Sequence, residues 1–154
     1  MEIVEYNYDN RMQYSEFIRK YNKSNCLNSL NVQTFSKGKK IFLMIDKGRI
    51  KKYKIIGYSI TYEDLHVICL SNDISEKYDE DNNTIFIADF MINYLYRNQG
   101  NGKFFVKYIL DEVYKDKDII LQPDGDGNWF WKKFDFIPDN ISKHLTLILK
   151  RKNM

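Results

Sequence analysis

The sequence predicts a mixed α/β fold, a mixed β-sheet with helices on both faces, from three observations. Several segments show the alternating or continuous apolar pattern of β-strands. One of them, "TIFIADFMI" at 84–92, is almost continuously apolar, as expected for a central strand that is covered on both faces. A glycine-containing stretch, an amphipathic helix pattern and the apolar strand "IILQP" at 119–123 follow it, which together indicate a βαβ unit.

Composition limits the class of protein. The chain has 154 residues, of which 44% are hydrophobic, so we expect residues 1–154 to form a single domain with its own core. The formal net charge is only +3, and basic and acidic residues are interspersed, which argues against nucleic-acid binding. No apolar run is long enough to cross a membrane, and "MEIVEYNYDN" lacks the apolar region of a signal peptide. These features predict a cytoplasmic protein.

The first third of the chain contains a strand, a helix and a hairpin. "EIVEY" at 2–6 alternates and is typical of a strand, and "NRMQYSEFIRKYN" at 10–22 has helical spacing with Asn10 as a cap. "KIFLMID" at 40–46 and "YKIIGYSITYE" at 53–63 are strand patterns, and "DKGR" between them indicates a hairpin turn.

Two less regular segments complete the first half. Residues 22–38 are polar with scattered apolar anchors, which predicts a short second helix and a loop. "LHVICLS" at 65–71 resembles a strand that extends the sheet, and "NDISEKYDEDNN" at 72–83 is an acidic loop. This loop is expected to be a solvated surface segment. The alternative is that its acidic residues lie near the substrate site and attract a cationic amine.

The second half contains the remaining elements. "KFFVKYILDEVYKDK" at 103–117 places apolar side chains on one helical face. After the strand "IILQP", "GNWFWKKF" at 127–134 predicts a short helix and "LTLILKR" at 145–151 predicts the last strand. Because three consecutive aromatic residues, Trp129 to Trp131, cannot all face the core of one short helix, at least one of them is expected to be exposed.

The stretch "YRNQGNGKFF" at 96–105 follows the central strand and opens a helix. It is not a P-loop, because Gly102 and Lys103 are followed by Phe104 rather than by Ser or Thr. It is not the dinucleotide fingerprint either, because Phe105 stands where the third glycine is needed. The spacing that remains is Arg97-x-x-Gly100-x-Gly102.

This spacing suits an anion. The first amides of a helix have no intrahelical partner and carry partial positive charge. Gly100 and Gly102 leave room for a phosphate to approach those amides, and Arg97 and Lys103 add charge at the rim. The alternative is an ordinary turn between strand and helix that uses glycine for backbone reasons alone.

The surroundings of the stretch resemble those in the GNAT superfamily of N-acetyltransferases. "RNQGNG" matches the family signature Arg/Gln-x-x-Gly-x-Gly/Ala, and "IADFMINYLY" before it resembles the family's central strand. "NWFWKKFDF" at 128–136 resembles the family's later aromatic and basic helix. The resemblance covers residues 85–137 well, whereas residues 1–62 follow the family only in the order of their elements.

The resemblance implies the GNAT fold, acetyl-CoA as the cosubstrate and no metal. The main-chain amides from Asn98 to Lys103 would hold the pyrophosphate, with Arg97 beside them, and main-chain groups of the central strand would pair with the pantetheine arm. The cofactor-binding residues implied in this way are Phe90, Met91, Ile92, Arg97, Asn98, Gln99, Gly100, Asn101, Gly102 and Lys103. Asp124 stands where relatives often carry an Asn that touches the cofactor, although a role as a helix cap is the alternative.

The sequence departs from the family pattern at two catalytic positions. Trp131 stands where many relatives have the tyrosine that protonates the leaving thiolate, and an indole N–H cannot serve as that acid. Ala88 stands where some relatives have a catalytic glutamate. Asp89 is next to it and is the candidate base, provided that a bulge turns it to the same side of the strand. The alternative for Asp89 is a structural carboxylate.

Other polar residues are expected to have ordinary roles. His66 and His144 are isolated and share no metal-ligand spacing. Cys26 and Cys69 are predicted to be reduced core residues. "DGDGN" at 124–128 has only part of a calcium-loop pattern, so no metal site is predicted.

The sequence therefore predicts an N-acetyltransferase that acts on a primary amine of a small molecule or a peptide by direct attack. The acceptor cleft is expected between residues 22–38, 58–64 and the segment after 136. One alternative is a non-catalytic GNAT-fold protein that binds coenzyme A as a sensor or interaction module, and another is a nucleic-acid-binding α/β domain. We expect no nucleic-acid or membrane partner, and a monomer or a homodimer.

Overall fold

The computed structural model describes residues 1–25, 30, 35–48, 53–63, 65, 83–124, 127–139 and 146–151. These residues form a seven-stranded mixed sheet with the strand order β1-β2-β3-β4-β5-β7-β6. The strands are β1 (Glu2–Tyr6), β2 (Lys39–Lys47), β3 (Tyr53–Tyr62), β4 (Thr84–Ile92), β5 (Asp118–Leu121), β6 (Ile137–Asp139) and β7 (Thr146–Leu149). The α-helices among the described residues are α1 (Arg11–Ser24), α2 (Asn101–Lys107) and α3 (Gly127–Lys132).

The mixed α/β prediction is confirmed, and six of the strands were expected from the sequence. The strand that was not expected is β6, which has only three residues and contains Pro138. Proline has no N–H to donate, and it is tolerated here because β6 lies at the edge of the sheet, next to β7. Several predictions fall outside the described residues, namely the "LHVICLS" strand, most of the acidic loop, Cys26, Cys69, His66 and His144.

The described chain divides into two compact units. The first comprises residues 1–60 and 89–108, and the second comprises residues 61–88 and 109–154. Both β3 and β4 contribute residues to each unit. The single-domain assignment for residues 1–154 stays a prediction.

In the first unit, β1 pairs antiparallel with β2, from Glu2 opposite Ile45 to Tyr6 opposite Ile41. The central residues of β2 are buried, and so is one side of α1. Asn10 lies at the predicted start of α1, but its side chain does not bind the helix. It instead bridges back to the preceding chain, since its Nδ2 donates to Glu5 O at 2.8 Å.

In the second unit, β4 and β5 run parallel, and their register extends from Thr84 opposite Asp118 to Ile87 opposite Leu121. β7 pairs antiparallel with β5 and with β6. The core here includes Leu65, Phe86, Ile120 and Ile148. A parallel strand pair whose residues are buried to this degree explains the continuous apolar pattern of 85–87.

The helix that opens with α2 changes its winding before it ends. Residues Tyr108–Val113 are π-helical, and Tyr114 N donates to Ile109 O at 3.0 Å. The carbonyl of Leu110 accepts from the Arg151 guanidinium, and such outside donors accompany irregular helix geometry. The predicted apolar face is confirmed, because Phe105, Val106 and Ile109 are all fully buried.

Within the part of the chain that the structure describes, no helix has both the length and the apolar character that a membrane span requires.

Candidate functional site

The main-chain groups at the carboxyl end of β4 point alternately towards β3 and away from it. Asn93 N donates to Ile56 O at 2.7 Å, and the carbonyl of Asp89 accepts from Ser59 Oγ at 2.9 Å. Because the main-chain groups of successive strand residues point to opposite edges, residues 89, 91 and 93 face β3. The main-chain groups of Phe90 and Ile92 therefore point to the other edge.

Gly57 permits the close approach of β3 to this end of β4. A Cβ atom at Gly57 would lie 2.6 Å from Met91 O and 2.8 Å from Ile92 Cδ1. Distances below 3.0 Å are not seen for real Cβ atoms, so any side chain at this position would push the two strands apart. β3 therefore lies directly against the main chain of Met91.

Three side-chain amides fix the loop between β4 and α2. Asn93 Oδ1 accepts from Leu95 N at 3.2 Å, and Gln99 Nε2 donates to Leu95 O at 3.1 Å. Asn101, which is buried, donates from Nδ2 to Tyr96 O at 2.9 Å. Since the side chains of Gln99 and Asn101 hold the loop, the main-chain amides are the groups that remain to bind a ligand.

The start of α2 forms an open concave surface of main-chain amides. Asn98 has φ 59° and Gly100 has φ 83°, and two left-handed residues so close together turn the chain sharply into the helix. The first intrahelical bond runs from Phe104 N to Gly100 O at 3.0 Å, so the amides of Asn101 to Lys103 precede it. A Cβ at Gly100 would meet no atom within 4 Å, so the space beside this residue is open.

Arg97 lies against the end of β4 instead of extending over this surface. Its Nε donates to Ile92 O at 2.9 Å, and its guanidinium contacts Met91 Sδ at 3.3 Å. Arg97 therefore occupies the Ile92 carbonyl, which points to the edge of β4 that faces away from β3. Arg97 and Lys103 are both exposed.

Asp89 belongs to a polar cluster on one face of the sheet. Tyr58 on β3 donates its hydroxyl to Asp89 Oδ2 at 3.1 Å, and Tyr21 on α1 packs edge-on against Tyr58 with ring centroids 5.9 Å apart. Phe90 points to the opposite face and packs against Phe105 of α2, with ring centroids 5.4 Å apart. In this unit the two helices thus lie on opposite faces of the sheet, as predicted.

The two tyrosines are held neutral by their surroundings. Burial raises the pKa of Tyr58 far above its usual value of 10.0, and the nearby Asp89 carboxylate and their hydrogen bond raise it further. Burial also raises the pKa of Tyr21, as does Asp89, whereas Arg97 acts in the opposite direction. Tyr58 therefore remains a hydrogen-bond donor to Asp89 throughout the neutral pH range.

Four other sequence-predicted positions belong to the second unit. Trp131 is buried and packs against Phe136, with ring centroids 5.4 Å apart, so it is a core residue. Trp129 is 57% exposed, which confirms that the three consecutive aromatic residues do not share one environment. Ala88 and Asp124 are both exposed, and the Asp124 carbonyl accepts from Gly127 N at 2.9 Å.

The partners of Asp89 were not predicted from the sequence. Tyr58 and Ser59 are distant from Asp89 along the chain, and Tyr21 is more distant still. The only sequence signal was the strand pattern at 53–63, which does not give the register between β3 and β4. A prediction of that register would have placed Tyr58 and Ser59 beside Asp89.

No protein-family model and no curated protein matches the chain. Solved structures do match. An acetyltransferase of the GNAT family from Staphylococcus aureus Mu50 is similar with a TM-score of 0.57 and 15% identity, over 96% of this chain and 96% of that one. AtaTR bound with AcCoA has a TM-score of 0.54 and 15% identity, over 73% and 70% of the two chains. The KacTA–DNA complex has a TM-score of 0.56 and 10% identity, over 96% and 92%.

The chain therefore has the fold of the GNAT acetyltransferases, and the predicted resemblance is confirmed at the level of the fold. In that fold the sequence "RNQGNG" occupies the turn from β4 into α2, the place that its resemblance to the family signature implies.

Proposed function

We propose that the protein is an N-acetyltransferase that binds acetyl-CoA and transfers the acetyl group to a primary amine. The observation that carries the proposal is the open surface of main-chain amides at Gly100, directly after β4. A helix start with accessible amides and partial positive charge is suited to a pyrophosphate. The GNAT fold of the chain and the AcCoA-bound state of AtaTR, a similar structure, support this choice of cosubstrate.

The proposal assigns the cosubstrate to particular groups of the first unit. The amides of Asn98 to Lys103 would bind the pyrophosphate, with Lys103 at the exposed rim. The edge of β4 that faces away from β3 would pair with the pantetheine arm through Phe90 and Ile92. Met91 is a weaker candidate for this pairing because its main chain faces β3, and Arg97 must release Ile92 O for the pairing to extend that far.

The proposed chemistry is direct attack of a neutral amine on the thioester carbonyl. The nitrogen forms the new C–N bond and loses a proton, the C–S bond breaks, and the leaving thiolate takes up that proton directly or through water. The acceptor must first lose the ammonium proton, and Asp89 is the candidate that receives it directly or through water. Tyr58 holds the Asp89 carboxylate in place. Trp131 supplies no proton, because it is buried in the core and its indole N–H is not an acid in this pH range.

Two alternatives follow from specific observations. The residues at the two familiar catalytic positions, Ala88 and Trp131, carry no acid or base, which favours a protein that binds coenzyme A without turnover. The KacTA–DNA complex shows that a protein of similar fold is found with DNA. The predicted lack of a nucleic-acid partner is therefore open to test, and salt-sensitive binding to an oligonucleotide would overturn it.

Calorimetric titration with acetyl-CoA tests the proposal, with adenosine 3′,5′-bisphosphate as the comparison ligand. We expect micromolar binding of acetyl-CoA. If a folded sample does not bind it, the stretch is only a turn and the proposal is wrong. If acetyl-CoA binds but a broad panel of amines gives no turnover, the non-catalytic alternative holds.

A further inference from the structure

A cavity of about 280 Å³ lies on the first unit. Its wall is formed by the last two turns of α1, by Lys54 and Ile55 at the start of β3, and by Asn93 and Leu95 after β4. None of the residues from Arg97 to Lys103 lines it. Its volume is close to the lower end of the range for small-molecule sites.

The charged side chains that line the cavity are basic. Its charged lining residues among the described part of the chain are Lys20 and Lys54. None of the described residues that line the cavity is acidic, although Glu16 pairs with Lys20 and the Asp89 carboxylate is near enough to Tyr21 to raise its pKa. The whole chain, in contrast, has 24 basic and 21 acidic residues. Such a local excess in a concave site concentrates anions.

The existing partners of the two lysines leave their charge available. Lys20 Nζ lies 3.2 Å from Glu16 Oε1, but both side chains are exposed, and an ion pair of this kind is weak. Lys54 Nζ lies 5.5 Å from the centre of the Tyr96 ring, a contact that leaves its N–H groups able to donate.

The end of α1 does not oppose an anion as strongly as a bare helix terminus would. A helix C-terminus carries partial negative charge on its last carbonyls. Here Asn25 N donates to Tyr21 O at 3.0 Å and to Asn22 O at 3.3 Å, and Asn25 Nδ2 donates to Tyr21 O at 2.9 Å. Ser24 and Asn93 add further polar groups to the wall.

From the cavity, its two lysines and the absence of acidic residues in its described wall, we propose a second anion site. It binds the carboxylate or phosphate group of a small molecule through Lys20 and Lys54. This inference does not depend on acetyl transfer. The anionic group has two possible sources: the 3′-phosphate of coenzyme A or a separate small metabolite.

The test is a titration of the ¹⁵N-labelled protein with inorganic phosphate at constant ionic strength, followed through amide chemical shifts. Saturable shifts are expected at Ser24, Asn25 and Asn93. In the double variant Lys20→Met/Lys54→Met the apparent affinity at these amides should fall at least about tenfold, which is the contribution of one charge-assisted hydrogen bond. Both lysines are exposed, so the variant should fold.

Two control variants separate this site from its surroundings. Lys23→Met removes the same charge from the same helix, but Lys23 does not line the cavity, so phosphate affinity should remain within about twofold. Gly100→Glu blocks the amide surface and should leave the cavity shifts unchanged. Failure of the proposed acetyl-CoA site is thereby distinguished from failure of the cavity site.

Two further arms identify the source of the anion. If the site takes the 3′-phosphate, the double variant loses affinity for acetyl-CoA but not for dephospho-acetyl-CoA. If a separate metabolite is the ligand, both affinities remain. The proposal is overturned if wild-type protein shows no saturable shifts at the cavity or if the shifts persist in the double variant. It is also overturned if a duplex oligonucleotide saturates the same amides at lower concentration than phosphate.

Discussion

The two halves of β4 have the same strand geometry but different surroundings. Thr84 to Ile87 are buried and pair in parallel register with β5. Ala88 to Ile92 continue the strand beyond that register, and only Ile92 is fully buried. The first half is a core element, whereas the second half presents a backbone edge and the Asp89 carboxylate. Substitutions before Ala88 should therefore mainly affect stability, whereas substitutions after it should mainly affect binding.

The largest effect is expected from a substitution at the amide surface that follows the second half of β4. Gly100→Glu introduces a carboxylate where the pyrophosphate is proposed to bind, and glutamate also disfavours φ 83°. Acetyl-CoA affinity should fall more than about 100-fold, the scale expected when a charge-assisted contact becomes repulsive. Calorimetry measures the affinity, and circular dichroism checks that the variant is folded. Unchanged affinity in a folded variant would contradict the proposed site.

A substitution in the first half of β4 should lower the stability of the protein. Ile85 is 2% exposed and pairs with Ile119, so Ile85→Ala should lower the free energy of unfolding by about 2–5 kcal/mol. Urea denaturation measures the loss. Met91→Ala in the second half is the matched control and should cost less, because Met91 is only half-buried. Equal losses would show that the two halves are not distinct.

The close approach of β3 to the second half of β4 is tested by a substitution of Gly57. An alanine there would place Cβ 2.6 Å from Met91 O, so Gly57→Ala should cost about 1–3 kcal/mol and also weaken acetyl-CoA binding. Gly127→Ala is the control, since its Cβ would meet Pro123 at an ordinary 3.5 Å and alanine favours helix. Urea denaturation of both variants makes the comparison. If Gly57→Ala were no more destabilising than Gly127→Ala, the close approach would not matter.

Local patterns predicted the elements well but not the contacts between distant elements. The limits of β4 follow directly from nine apolar-rich residues, and the turn at Gly100 follows from glycine spacing. The clustering of Tyr21, Tyr58 and Asp89 depends on strand register and on the position of α1, which are properties of the whole fold. The π-helical turn at Tyr108–Val113 was also not predicted, because its apolar spacing does not differ visibly from that of an α-helix.

The role of Asp89 is tested by its pH dependence. Asp89→Asn keeps an acceptor for Tyr58 but removes the charge, so turnover at pH 7 should fall about 100-fold, at the low end of the range for general-base catalysis. The loss should be smaller at pH 9, because a larger fraction of the acceptor amine is already neutral. The raised pKa of Tyr58 keeps its hydroxyl protonated at both values. Equal losses at the two pH values would assign Asp89 a structural role.

The smallest effect is expected at Tyr21, whose buried hydroxyl has no hydrogen-bond partner among the described residues. Tyr21→Phe removes a polar group that is buried without compensation, so stability should be unchanged or rise by up to about 1 kcal/mol. Tyr114→Phe is the control, because its buried hydroxyl is 2.6 Å from Thr61 Oγ1 and its loss should destabilise the protein. Urea denaturation of both variants at pH 8 gives the comparison.

The stability of Tyr21→Phe should also depend on pH differently from that of the wild type. Since the folded-state pKa of Tyr21 is raised above its usual value of 10.0, the stabilisation associated with the neutral hydroxyl is complete below that pH and is lost as the pH rises above it. Tyr21→Phe removes this loss, so its urea midpoint should fall less than that of wild type between pH 8 and pH 11. An identical fall in both proteins would mean that Tyr21 ionises as easily in the folded state as in the unfolded chain, and that its burial beside Tyr58 and Asp89 does not raise its pKa.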